Sequence, residues 1–143
     1  MQRLLGLFLL VLLGACQQSK KADVPEVTPP TVFEKLQLSP MSLLMEQMYA
    51  ENVRLKTAIE NGNTDLGVFP ESIQNIVWET LTDPTDRDSF FDTQAISYLE
   101  KQQLVYTATD PKGAFNEAVA ACIACHQKKC TGPLTRIKKL LIK

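Results

Sequence analysis

Apolar residues recur at helical spacing along most of the chain beyond residue 38. Ser39-Pro40 pairs an N-cap residue with proline at the first helical position. Met41, Leu44, Met45, Met48, Asn52, Leu55 and Ile59 then follow at i, i+3, i+4 and i+7, within one narrow stripe. Glu46, Glu51, Arg54 and Glu60 lie off that stripe, and Asn61-Gly62-Asn63 predicts the end of the first helix. A shorter helix is expected from about Pro70 to Leu81, with Ile73, Ile76, Val77 and Leu81 inward, followed by a turn at Asp83-Pro84-Thr85-Asp86. A third helix is expected from about Ser89 to Thr109, with Phe91, Ala95, Tyr98, Leu99, Gln102, Val105 and Tyr106 on one side. Asp110-Pro111 repeats the cap-plus-proline device, and a fourth helix runs to about Cys130 before Gly132-Pro133 stops it. Four amphipathic helices on short loops, with no strand pattern, predict an all-α fold: an antiparallel four-helix bundle over residues 39–143.

The first 38 residues follow a different pattern. Met1-Gln2-Arg3 is a short positive start, and Leu4 to Leu13 is an apolar run too short for a spanning helix. Gly14, Ala15 and Cys16 come next, the layout of a secretory signal peptide covering residues 1–15. Residues 16–38 read as a flexible tether, with Pro25, Pro29 and Pro30 among small, polar and charged residues and no apolar period.

The full chain of 143 residues leaves room for one compact domain. A net charge of −1 with 22% charged residues fits an ordinary globule and argues against nucleic-acid binding. Cysteine usage is more telling. Cys16 stands at the leader boundary, while Cys122, Cys125 and Cys130 crowd together with His126, the single histidine. A disulfide framework does not explain that crowd; a cofactor does.

Cys122-Ile123-Ala124-Cys125-His126 has the spacing of a c-type haem attachment motif. Two thiols must add to two vinyl groups on one edge of a flat ring while an imidazole reaches the iron. On a helix, residues i, i+3 and i+4 share a face, so Cys122, Cys125 and His126 can address one ligand. Phe115, Ala118 and Val119 lie upstream on the same face, where small and apolar side chains would let a porphyrin lie close against the helix. Two other readings of these residues stand beside this one. Cys122, Cys125, His126 and Cys130 could form a Cys3His zinc site, or the pair could be a thioredoxin-like redox motif, which would need a βαβ context that is absent.

Leu13-Gly14-Ala15-Cys16 resembles the lipobox of bacterial lipoproteins. The resemblance implies removal of the leader before Cys16, acylation of that cysteine, and a membrane anchor facing the periplasm. Gln17 rather than Asp weakly favours the outer membrane over the inner. The helix order with a single Cys-x-x-Cys-His near the C-terminus resembles the cytochrome c′ and cytochrome c-556 group over about residues 39–131. In that group a first-helix residue faces the iron opposite the histidine: methionine permits six-coordinate iron suited to electron transfer, whereas leucine or phenylalanine leaves it five-coordinate for gases. The group's pattern, a core residue three positions after the distal one, matches Met45 with Met48. Met45 is therefore the expected distal ligand and His126 the proximal one, with Met41 and Met48 as alternatives. Two departures stand out. The arginine common four residues after the haem histidine is Cys130 here, and the one four residues before the distal residue is Met41.

These residues imply one covalent haem c and a one-electron carrier rather than an enzyme, since the single histidine is committed to iron. A five-coordinate protein binding NO or CO is the first alternative, and a non-haem metal-binding lipoprotein the second. The expected partners are redox proteins. Lys128, Lys129, Arg136, Lys138, Lys139 and Lys143, with no acid among residues 127–143, would steer acidic ones. The same tail reads equally as a segment packed back through Leu134, Ile137, Leu140 and Leu141. Dimers are common in the group it resembles, so a homodimer is a further expectation.

Overall fold

The computed structural model describes residues 38–143. The expected leader, the acylation at Cys16 and nearly all of the tether lie outside them. The described residues are helical, with no strand among them: α1 (Pro40–Glu60), a 3-10 turn (Glu71–Val77), a second 3-10 turn (Pro84–Asp86), α2 (Ser89–Val105), α3 (Pro111–Lys129) and α4 (Leu134–Lys138). None of these helices is long and apolar enough to cross a membrane.

Each long helix starts where a short polar side chain satisfies an otherwise unpaired backbone donor. The Ser39 hydroxyl accepts the Ser42 N–H at 3.1 Å, Asp88 accepts that of Phe91 at 2.8 Å, and Asp110 accepts that of Gly113 at 2.9 Å. Pro40 and Pro111 occupy first-turn positions whose N–H would have no helical partner. Gly62, at φ 77°, turns the chain away after α1.

The segment expected as a helix from Pro70 to Leu81 differs. It forms a 3-10 turn over Glu71–Val77 and then opens. Burial of Ile73 and Ile76 suits that geometry, because residues three apart eclipse in it. Beyond it, the Arg87 guanidinium donates to the carbonyls of Val77 and Glu79, both at 2.8 Å. Those acceptors would otherwise continue an α-helix. α2 also stops at Val105, four residues short of the expected end.

α2 packs along α3, α1 packs on the first 3-10 turn and on α3, and α4 folds back on α3. The apolar side chains form two clusters. One joins Met41, Leu44 and Met48 to Ile73, Phe91 and Tyr98; the other joins Leu55 to Val105, Phe115, Val119, Ile137 and Leu140. Cys122 touches both. Phe115, Ala118 and Val119 are fully buried in the second cluster, so they fill core rather than a surface open to a ring. Full burial of a side chain such as Phe115 contributes about 1.5–3 kcal/mol.

Candidate cofactor site

Cys122, Cys125 and His126 occupy the last two turns of α3, on the i, i+3 and i+4 positions of one face. All three are half-buried, and both thiols are free. His126 Nδ1 lies 2.8 Å from the backbone carbonyl oxygen of Cys130. That carbonyl can only accept, so Nδ1 carries a proton, and in the neutral ring Nε2 keeps its lone pair, as a metal-ligating imidazole requires. The Cys130 N–H in turn bonds the His126 carbonyl at 3.2 Å and closes the end of the helix.

Three cavities surround this turn. The largest, about 450 Å³, lies between α1, the loop around Asp83–Asp86 and the end of α3; it is bordered by Met41, Phe91, Cys125, Cys130 and Arg136 among others. Two smaller ones, of about 50 and 30 Å³, are bordered by Met48, Tyr98 and Cys122. Met45 and His126 are the two residues that border all three. The larger volume falls within the roughly 300–1,000 Å³ of sites that hold cofactors and other small molecules.

The three methionines of the α1 stripe therefore part company. Met41 and Met48 are buried in the first cluster, at 6% and 5% exposure, whereas Met45 is half-buried and packs against that cluster from its edge. Its thioether stands on α1 across the cavities from the α3 motif.

Burial pushes the Cys122 thiol up to about 12, with Cys125 adding to the shift. Burial also raises the Cys125 thiol, against the pull of the Lys129 cation. Both stay protonated near neutral pH. Deeper in, Tyr98 is 3% exposed and its hydroxyl accepts from Asn52 Nδ2 at 3.3 Å, while the same amide donates to the Met48 carbonyl at 2.8 Å. Asn52 Oδ1 is buried and unpaired. Its residue borders the 50 Å³ cavity, so that side of the site offers a polar acceptor to whatever occupies it.

Ion pairs close the rim. Lys129 reaches Asp88 at 2.7 Å and Asp86 at 3.7 Å, tying the end of α3 to the start of α2. Arg136 on α4 grips Glu46 on α1 through both guanidinium nitrogens and lies 4.5 Å over the Tyr49 ring. Neither pair was anticipated from the sequence, because each joins segments at least 41 residues apart. The only local hint was Glu46 standing next to the apolar stripe. Arg136 supplies a cation at a cavity whose two expected arginine positions are Met41 and Cys130.

The residues present fit a haem on the chemistry of the donor set. Two protonated thiols, an imidazole and a thioether border these cavities: Met45, Cys125 and His126 line the one of about 450 Å³, and Cys122 lines the two smaller ones. The Cys3His zinc reading fits less well. Among the described residues no group of three or more His, Cys, Asp or Glu side chains converges to hold a metal ion, and Cys130 is exposed. Set against models of protein families, curated proteins and solved structures, the chain matches none.

Proposed function

We propose that this chain is a monohaem c-type cytochrome of the kind the cytochrome c′ and c-556 group exemplifies, acting as a one-electron carrier. In this reading the helices form an antiparallel bundle around a covalent haem c, and acylated Cys16 tethers the domain to the outer membrane, facing the periplasm. Haem iron, when bound, supplies the one-electron couple. Thiols of Cys122 and Cys125 hold the ring covalently, and His126 offers Nε2 to the iron while the Cys130 carbonyl fixes its tautomer. Met45 offers a soft thioether from α1, a ligand that favours reduced iron and raises the potential. Met48, Phe91 and Tyr98 keep water from the inner side.

The observation that carries this reading is the shared border: Met45 and His126, on two different helices, line the same three cavities. A methionine on an apolar helix face is ordinarily core filler; one that lines the same cavities as an imidazole supports the reading as a ligand.

Absorption spectra of the mature protein, oxidised and reduced, with and without carbon monoxide, test it. The expected result is a low-spin spectrum indifferent to the gas, with pigment that stays on the denatured chain in acidified organic solvent. A high-spin, gas-responsive spectrum would replace the carrier with an NO- or CO-binding protein. A colourless protein made alongside the haem-attachment machinery would reject both and leave the metal-binding lipoprotein.

A further inference from the structure

A cleft of about 880 Å³ lies apart from the cavities around His126. Five lysines line it: Lys56 from α1, Lys112 from α3, and Lys138, Lys139 and Lys143 from the returning C-terminal segment. Residues 38–143 carry eleven Lys and Arg against thirteen Asp and Glu. Nearly half of the cations thus converge on this one cleft, where Glu60 is the single acidic side chain. Glu60 is 3.8 Å from Lys56. Lys56 Nζ also donates to the carbonyls of Lys139 and Leu141, at 2.8 and 3.3 Å, and Lys112 Nζ donates to that of Lys143 at 2.6 Å. Lys138, Lys139 and Lys143 have no carboxylate within ion-pair distance among the described residues, and all three are exposed. Between the lysines lie Ile59, Leu141 and Ile142, with Leu141 38% exposed.

We infer that this cleft is a docking site for anionic phospholipid headgroups. Two observations choose that occupant over an acidic protein. Lysines that flank the exposed Leu141 and the half-buried Ile59 match the boundary between headgroup and acyl chain, where the charges sit on phosphates and the apolar atoms enter the chain region. A purely acidic protein surface has no use for Leu141 and Ile59. The second is distance. At 1.5 Å per residue, Lys56 lies about 16 Å along α1 from Met45, and Lys112 about 21 Å along α3 from His126. A partner seated here is remote from the cavities bordered by His126, whereas a membrane surface needs no approach to them. Acylation of Cys16 plays no part in this choice of occupant, and only the distance from His126 draws on the cofactor site proposed there.

Sedimentation of the full chain with vesicles tests it, phosphatidylcholine alone against phosphatidylcholine mixed with phosphatidylglycerol. Any acyl anchor contributes equally to both, so the difference between them is the readout. The expected result is at least tenfold stronger partitioning to the anionic vesicles at low salt, lost as salt rises. Each lysine near such a surface contributes roughly fivefold, so the double variant Lys138→Glu, Lys139→Glu should lose about twentyfold or more and with it the preference. Lys101→Glu, outside the cleft, should keep it. Equal binding to the two vesicle types overturns the proposal, and so does a preference that survives the double variant. A chain indifferent to phosphatidylglycerol that binds inorganic tripolyphosphate or polyglutamate through Lys138 and Lys139 has a soluble-anion site instead, which also overturns it.

Discussion

The Asn116 carboxamide on α3 grips the backbone of Ile142 at both of its polar groups: Nδ2 donates to its carbonyl and Oδ1 accepts its N–H, each at 2.9 Å. This pairing returns the C-terminal segment to the body of the protein and sets Ile137, Leu140 and Ile142 into the second cluster. Asn116→Ala leaves both backbone groups without their partner. It should cost about 1–3 kcal/mol in urea denaturation and speed tryptic cleavage at Lys138 and Lys139. An unchanged midpoint together with unchanged cleavage would mean that the clamp contributes nothing.

Met45→Ala should turn a low-spin haem spectrum high-spin and open it to carbon monoxide, with modest loss of stability because Met45 is only half-buried. Met48→Ala should do the reverse. Its side chain is 5% exposed inside the first cluster, so the expected loss is about 2–5 kcal/mol with the spin state kept. If Met48→Ala changes the spectrum and Met45→Ala does not, the distal assignment moves to Met48.

Gln102 is completely buried on α2, and neither its Oε1 nor its Nε2 has a partner. A buried amide without hydrogen bonds costs free energy that an apolar side chain of the same length does not. Gln102→Met should therefore raise stability by about 1–2 kcal/mol, read as a higher denaturation midpoint. A lower midpoint would show that Gln102 is hydrogen-bonded in solution.

Glu51 is one of the carboxyls expected to shape the acid response. Burial acts to raise its carboxyl, but hydrogen bonds from Arg54 and from the Tyr106 hydroxyl (2.6 Å) outweigh it and hold the group below its ordinary value of 4.5. A carboxyl depressed on folding stabilises the native state above its unfolded value. That contribution is lost as pH falls through the lower folded value. Thermal midpoints should drop on acidification below about pH 4.5. Glu51→Gln should be less stable at neutral pH and show a shallower acid limb. Parallel acid limbs for the two proteins would remove Glu51 from the response.

Much of the fold was legible because its causes are local. Ser39-Pro40 and Asp110-Pro111 mark helix starts, since a cap and the donor it satisfies stand within three residues of each other. The i, i+3, i+4 spacing of Cys122, Cys125 and His126 places them on one face of any helix that contains them. Nothing so local foretold that Arg87 would take the carbonyls of Val77 and Glu79, so the segment expected as a second helix is a 3-10 turn. Nor could periodicity divide the α1 methionines, which share one stripe and differ only in what other segments pack over them.

Sequence alone determined where α1, α2 and α3 begin, which faces are apolar, and which residues could address a common ligand, because each depends on neighbours within about four positions. Tertiary structure decided that Met45 shares its cavities with His126, that Arg136 returns to Glu46, and that lysines from three segments meet at the far end of α1. Those are encounters between residues tens of positions apart, fixed by which apolar surfaces the chain can bury together.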